Sequence, residues 1–586
     1  MQASGAAMLE GAGRRRSAQQ VAREIGARVA AAPTNVADWF EALVRRYTER
    51  PAMIFEDRSW TYGEIDRHAN RIAHAAIRQG IGAGDSVALA LSNSVDLLSA
   101  ILAMAKIDAS CSLIDPRLPG EALRHALGSI PVGLVIADEA DETVRAYHAA
   151  SGVPFKVRAG AENLLADWIA HAPIDPPPRE ARAAIAPSAP IFHIFTSGTT
   201  GLPKAAACSH ARYVSSGMSE AVLLGLTERD RMYVVLPMYH IAALSAIAAA
   251  FSVGASVLLR ARFSVTNFWP DVRTHGVTAM QYLGEIARYV ASRPATAADR
   301  DHGLRTMIGA GMQAQVWRAF RDRFGVPHIV ECYGSSEGVC SLVNLDGVVG
   351  SVGRPAFGDT SMRIVRLDDA HGLLRSEDGG FVDCATDEPG ELIGALSASN
   401  VFEGYSSESA TQARLAREYP ADANPWFRTG DLFRRDAEGY FHFLDRLGDT
   451  YRWKGENIAT QQVAAALESE PDIARAVVYG VRVPGIEGRA GMALIEPAED
   501  YAIEMTTLAA RLGRRLAPAA VPVFIRTGTI EALTGTYKVR VAELRAQGYD
   551  ASAGVDPLYV LDAAAAAYVP LDETALSRNG VAPYED

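Results

Sequence analysis

The 586-residue chain has little cysteine, no basic surplus and a single long stretch free of charge. Its five cysteines (Cys111, Cys208, Cys332, Cys340 and Cys384) are odd in number, widely spaced and without a CxxC pair. That spacing suggests neither a disulfide framework nor a zinc site, and it fits a reducing compartment. Lys and Arg total 57 against 69 Asp and Glu, a net charge of −12, so no excess of cations is available to displace counterions from a nucleic acid. No internal repeat is present. Arg14, Arg15 and Arg16 have no apolar run beside them, which argues against a secretory signal. The uncharged run, Met232 to Leu259, is long enough for a membrane-spanning helix, but Pro237, His240 and Gly254 interrupt it. MYVVLPM reads as a strand, IAALSAIAAAF as a helix and ASVLL as a second strand.

What is present is a globular composition, 49% hydrophobic and 22% charged, in a chain long enough for two or more domains. Residues 17–31 form a short helical pattern, with Val21, Ile25 and Val29 on one side, that docks on the body or on a membrane surface or frays as a tail. Tyr62 to Gln79 is an amphipathic helix stopped by Gly80; VALAL (87–91) is a strand, Val95 to Ile107 a buried helix and GLVIAD (133–138) another strand. This alternation predicts an α/β fold whose mainly parallel sheets are covered on both faces. Residues 171–190 hold six prolines and read as a connector.

That connector leads into FTSGTTGLPK, residues 195–204, directly after the apolar run Ile191 to Phe195. Gly198 and Gly201 let a backbone approach a ligand, and the hydroxyls of Thr196, Ser197, Thr199 and Thr200 can donate to anionic oxygens. Lys204 adds a point charge. Only two residues separate the glycines and Leu-Pro precedes the lysine, so this is not a P-loop. Composition alone also allows a flexible Ser/Thr/Gly linker.

Further along, TMIGAG places Gly309, Ala310 and Gly311 at a strand end with room for a ligand. IVECYGSSEG (329–338) then offers an aromatic face at Tyr333, a hydroxyl at Ser336 and, at Glu337, a carboxylate suited to a hard cation. FRTGD ends in Asp431, which can accept from two vicinal hydroxyls. Beyond Gly448 the pattern becomes α+β, with helices near 458–468 and 506–516 and strands near 475–483, 490–496 and 523–527.

TSGTTGLPK resembles the phosphate-binding signature of the adenylate-forming superfamily, whose members join a carboxylate to AMP. The resemblance runs from about residue 37 to 575. It is narrower to the fatty acid transport protein and very-long-chain acyl-CoA synthetase branch through QYLGEIARY (281–289), ADRDHGLRTMIGAGM (298–312), YRWKGENIAT (451–460), TGTYK (534–538), DPLYVLD (556–562) and YVPL (568–571). It implies ATP, Mg2+ and coenzyme A as cofactors, with an acyl-AMP formed first and an acyl-CoA second. In it, Thr196 to Lys204 hold phosphate, Gly309 to Gly311 and Tyr333, Gly334, Ser335 and Ser336 surround the nucleotide, and Glu337 holds magnesium. Asp431 and Arg446 contact the ribose, and Lys538 is the catalytic lysine. Tyr239, His240, Tyr282 and Gly284 fall at the acyl pocket, Lys454 and Gly455 along the CoA path, and Gly448 at the hinge.

The domains so implied are a tail at 1–36, an AMP-binding domain at 37–447, a small mobile lid at 448–555 and an extension at 556–586. The substrate expected is a fatty or other bulky aliphatic carboxylic acid. The alternatives are transfer to a carrier-protein phosphopantetheine or an amine, or a fatty-acid uptake or binding protein. Membrane-bound members of the branch carry an N-terminal spanning segment; without one here, the expectation is a cytoplasmic protein with at most peripheral membrane contact.

Overall fold

A computed structural model describes residues 18–584 except 57, 119, 183–184, 198–202, 336, 356–360, 369–370, 398–399, 419–423, 455, 487, 500, 531–538, 540, 552–555 and 579–580. The chain divides into two compact units. One comprises residues up to Ser361 together with Leu396–Leu415; the other comprises Met362–Ala395 and everything from Ala416 on. The boundary expected at 447/448 therefore falls inside the second unit.

Among the described residues the first unit contains two large sheets. The six-stranded sheet runs in the order Phe155–Val157, Leu134–Ala137, Ser86–Ala90, Ser110–Leu113, Pro190–Ser197 and Pro203–Ser209; all pairs are parallel except the last. The nine-stranded sheet has a parallel centre, His328–Gly334, Thr306–Ala310, Ala279–Leu283, Arg231–Val234, Ser256–Leu259 and Pro51–Phe55, with antiparallel strands at its edges. Parallel strands need crossovers, and these are helices that carry the expected patterns. Tyr62–Arg78, which instead leads from an edge strand of the nine-stranded sheet to the six-stranded sheet, starts with a capping box between Thr61 and Glu64 and buries Ile65, Ala69, Ile72, Ala73 and Ala76. Val95–Lys106 is buried along nearly its whole length.

The uncharged run resolves into strand Arg231–Val234, helix Ile241–Ser252 and strand Ser256–Leu259, all buried in this unit. No helix among the described residues is long and apolar enough to cross a membrane. The N-terminal helix, Ala18–Ala30, packs on helix His210–Leu223 with Val21 and Ile25 buried, so from residue 18 the chain is docked on the body.

In the second unit, strands Met362–Val365, Gly390–Ala395, Trp426–Arg435 and Phe441–Arg446 lie side by side, each antiparallel to the next. A further five-stranded sheet runs in the order Ile473–Val481, Ala490–Pro497, Phe524–Thr527, Leu558–Asp562, Ala567–Pro570. Its last two strands come from the segment read as an extension. That segment buries Val560, Tyr568, Leu576 and Val581 in the common core, and the Tyr568 hydroxyl donates to the Pro522 carbonyl at 2.7 Å.

Candidate active site

The string FTSGTTGLPK begins on one strand and ends on its antiparallel neighbour. Strands Pro190–Ser197 and Pro203–Ser209 pair with Thr196 opposite Lys204 and Ser197 opposite Pro203. Gly198, Thr199, Thr200 and Gly201 lie outside the described residues, as do Ser336, Gly455 and Lys538. The second signature leaves the end of His328–Gly334, where Tyr333 and Gly334 pair with Leu342 and Ser341.

Three residues that sequence reasoning missed tie these two signatures together. Arg212 donates to the Ser335 carbonyl and to the Ala207 carbonyl, both at 3.4 Å, and stands 3.6 Å from the Glu403 carboxylate. Glu403 in turn accepts from the Ser209 N–H at 3.0 Å. Residues 403–406 run along the hairpin, with Tyr405 opposite Ala206 and the Ser406 N–H on the Ala205 carbonyl at 3.1 Å. From there the Tyr405 phenol donates to Glu337. Burial, then the Glu337 charge, pushes the phenol pKa up, so it stays a donor.

Under the small-residue turn at Gly309, Ala310 and Gly311 lies another missed group. Glu331 is buried; its Oε2 accepts from the Tyr282 hydroxyl at 2.5 Å, and its Oε1 accepts from the Gly311 N–H at 2.5 Å and the Met312 N–H at 3.2 Å. Burial pushes this carboxyl up to about 8, against the pull of those three donors. An acid inside the apolar string IVECY was the available signal. Tyr282 and Gly284, expected at an acyl pocket, are placed differently. The Tyr282 ring is fully buried and leaves no room for a side chain at Gly309, while Gly284 lies against the Gly311 backbone. Both shape the turn from behind. Gly311 itself has φ +81°.

Tyr239 is buried, and its hydroxyl receives a hydrogen bond from Arg117, whose guanidinium also bonds Asp115 at 3.1 Å. His240 precedes helix Ile241–Ser252 and stands 4.9 Å from the Tyr239 ring, centroid to centroid.

In the second unit Asp431 and Arg446 are register partners on adjacent strands, 3.5 Å apart, with Asp431 buried and Arg446 half exposed. Gly430, at φ +73°, turns the chain into Asp431, and its N–H is held at 2.9 Å by the fully buried Glu391, which also binds Arg428. Lys454 has φ +51° at the tip of the ribbon between Tyr451–Trp453 and Glu456–Ile458. Gly448 sits in the turn after Arg446 with open space around its α-carbon, and its φ lies outside the left-handed region.

The profile of the AMP-binding enzyme family matches residues 40–406. Mouse long-chain fatty acid transport protein 6 is 34% identical over 92% of this chain and 89% of its own length. The medium/long-chain-fatty-acid–CoA ligase FadD6 of Mycobacterium tuberculosis is 35% identical over 91% of this chain and 88% of its own length. In fold, the chain is similar to O-succinylbenzoate coenzyme A synthetase from Bacillus subtilis, solved with ATP and magnesium, at TM-score 0.70 and 24% identity over 87% of this chain and 99% of that one. ATP-bound MatB from Rhodopseudomonas palustris gives TM-score 0.74 at 20% identity over 89% of this chain and 100% of that one. With a family profile spanning more than half its length and full-length relatives above 30% identity, the chain belongs to the AMP-binding enzyme family.

Proposed function

We propose that this protein is an AMP-forming acyl-CoA synthetase that takes ATP, CoA and a fatty or other bulky aliphatic acid. The observation that carries the reading is the tie between the phosphate hairpin and the Glu337 loop through Arg212, Glu403 and Tyr405. The names of the relatives support the choice of acid and acceptor.

The residues fit magnesium. Glu337 is one carboxylate, and the described residues contain no group of three or more His, Cys, Asp or Glu that could cage a metal. Mg2+ takes one or two protein carboxylates and completes its shell with phosphate oxygens and water. When bound, it supplies charge neutralisation on the polyphosphate. Tyr405 holds the Glu337 carboxylate in place. The hairpin donors from Thr196 to Lys204 hold the phosphates, Tyr333 to Ser335 flank the base, and Asp431 and Arg446 hold the ribose.

The acid is ionised near neutral pH, so its oxygen attacks the α-phosphorus without a general base, and pyrophosphate leaves. Lys538 neutralises charge at the attacking and bridging oxygens, which is electrostatic stabilisation rather than proton transfer. The CoA thiol then attacks the acyl carbon and AMP leaves. In this reading 37–447 is the catalytic body and 448–555 the lid, which pivots at Gly448 between steps, bringing Lys454 and Gly455 to the thiol path; 556–586 completes the lid's sheet.

The test is release of AMP and pyrophosphate across a panel of carboxylic acids, with and without CoA. Long-chain acids with CoA should release both; failure of every acid refutes the reading. AMP release that needs a carrier protein or an amine in place of CoA would reassign the acceptor. Cytoplasmic residence with peripheral membrane contact goes with five free thiols and with the folding of the uncharged run into strand, helix and strand. Carbonate extraction should release the protein, whereas recovery only in detergent would favour the uptake role.

A further inference from the structure

Arginines gather in the first unit where strands of the nine-stranded sheet begin. Arg50 precedes strand Pro51–Phe55, Arg229 lies just before strand Arg231–Val234, and Arg231 opens that strand. All three line one cavity of about 340 Å³, together with Glu228, Asp230 and Ser256. That volume lies within the range of about 300–1,000 Å³ typical of small-molecule sites.

The carboxylates in its wall are already matched. Asp230 Oδ2 accepts from the Thr227 N–H at 2.7 Å and from Arg305 at 2.8 Å; its Oδ1 accepts from the Thr278 hydroxyl at 2.7 Å and again from Arg305 at 3.1 Å. Burial works to raise the Asp230 pKa, yet the hydrogen bonds from Arg305, Thr278 and Thr227 bring it below the ordinary carboxylate value. Glu228 stands 3.7 Å from Arg50, which also donates to the Glu228 carbonyl at 2.5 Å.

Arg229 and Arg231 have no such counter-ion. Arg231 is half-buried; its Nε donates to the Ser256 hydroxyl at 3.0 Å and its Nη1 to the His275 carbonyl, both neutral acceptors, and its Nη2 meets no hydrogen-bond partner among the described residues. Burial pushes the Arg231 guanidinium down, with no carboxylate to offset it. The exposed Arg229 side chain has neither an ion pair nor a hydrogen bond among the described residues. With Arg305 set against Asp230 and Arg50 against Glu228, two positive charges at one cavity stay uncompensated. The Ser256 hydroxyl, which accepts from Arg231, keeps its own proton to donate.

We infer that Arg50, Arg229, Arg231 and Ser256 form a binding site for a small phosphate-bearing anion. A guanidinium presents its N–H groups as a fork that matches phosphate oxygens, and a phosphate ester carries about −1.5 to −2 near neutral pH, which balances the two free charges. The cavity is separate from the nucleotide site. Ala279, beside Met232, and Leu283, beside Ala310, are the two ends of one strand, roughly 13 Å apart at about 3.3 Å per residue. Arg231 precedes Met232, whereas the Gly309–Gly311 turn lies at the other end.

The test is thermal unfolding and calorimetric titration of the full-length protein with inorganic phosphate and with glycerol 3-phosphate, against sodium chloride at matched ionic strength. At least one phosphate should bind and raise the Tm where chloride does not. Arg229→Glu changes an exposed side chain without partners, so it should fold normally and weaken that binding by about 10-fold or more; Arg231→Gln should weaken it by about 10- to 100-fold. Lys204→Ala, in the phosphate signature, should keep it. The site is overturned if neither phosphate acts beyond chloride, if Arg229→Glu binds as the wild type does, or if Lys204→Ala loses all binding, which would put the anion at the nucleotide site. Equal affinities would identify free phosphate as the ligand, and tighter binding of glycerol 3-phosphate a phosphate ester. Sedimentation on phosphatidic acid vesicles that Arg229→Glu abolishes would make that ester a lipid head group.

Discussion

Gly284→Ala is the sharpest test of how the Gly309–Gly311 turn is built. Gly284 opens helix Gly284–Ala291 with its α-carbon against the backbone of Gly311. A methyl there overlaps the Gly311 carbonyl oxygen and stands 2.9 Å from the Met312 nitrogen. Neither atom belongs to a flexible side chain, so the turn must withdraw by about 1 Å or more to recover ordinary contact. Withdrawal also pulls the Gly311 and Met312 N–H groups from Glu331, whose carboxyl is buried beneath them. Overpacking of this kind costs about 1–3 kcal/mol. Misplacing a positioning element by about 1 Å costs about 100-fold in rate. The assay is ATP–pyrophosphate exchange at saturating acid, beside thermal unfolding. A lowered Tm with exchange reduced about 100-fold is expected. A variant with wild-type Tm and wild-type exchange would refute the reasoning, since the helix and turn would then not be rigidly apposed.

Three further outcomes are expected. Lys538→Ala should lower acyl-AMP formation by about 100- to 1000-fold while sparing thioester formation from pre-made acyl-AMP; equal loss of both half-reactions in a folded variant would contradict the assignment. Gly448→Pro fixes φ near −65°; pyrophosphate exchange should survive and CoA-thioester formation should fail, whereas normal rates of both would place the pivot elsewhere. Burial pushes the Glu220 carboxyl up from 4.5 to about 8, so it binds its proton in the folded chain over a range where the unfolded chain has released it. Its contribution to stability is therefore fully present below about 4.5 and is lost as pH rises toward 8. Glu220→Gln should flatten the fall in Tm between those limits, and an unchanged slope would contradict the burial argument.

The sequence by itself determined the chemistry-bearing signatures and the element types, because both are local. TSGTTGLPK, YGSSEG, FRTGD and TGTYK are short strings whose residue types suit phosphate, base, cation and ribose at fixed spacing. Helices such as Tyr62–Arg78 announce themselves through a 3.6-residue apolar period and a capping box. The uncharged run could be read as strand, helix and strand because Pro237 and Gly254 cut it into lengths too short to span a bilayer. Tertiary structure alone decided which distant residues support those signatures. Tyr405 reaches Glu337, and Arg212 reaches Ser335, across gaps in the chain that no periodicity reports. The fate of Tyr282 was equally hidden, since a tyrosine suits an acyl pocket until the register sets its hydroxyl on Glu331. The segment at 556–586 reads from the sequence as an extension, because no local pattern reports which strand it pairs with. It joins the five-stranded sheet because Phe524–Thr527 would otherwise leave an unpaired edge, which Leu558–Asp562 and then Ala567–Pro570 cover.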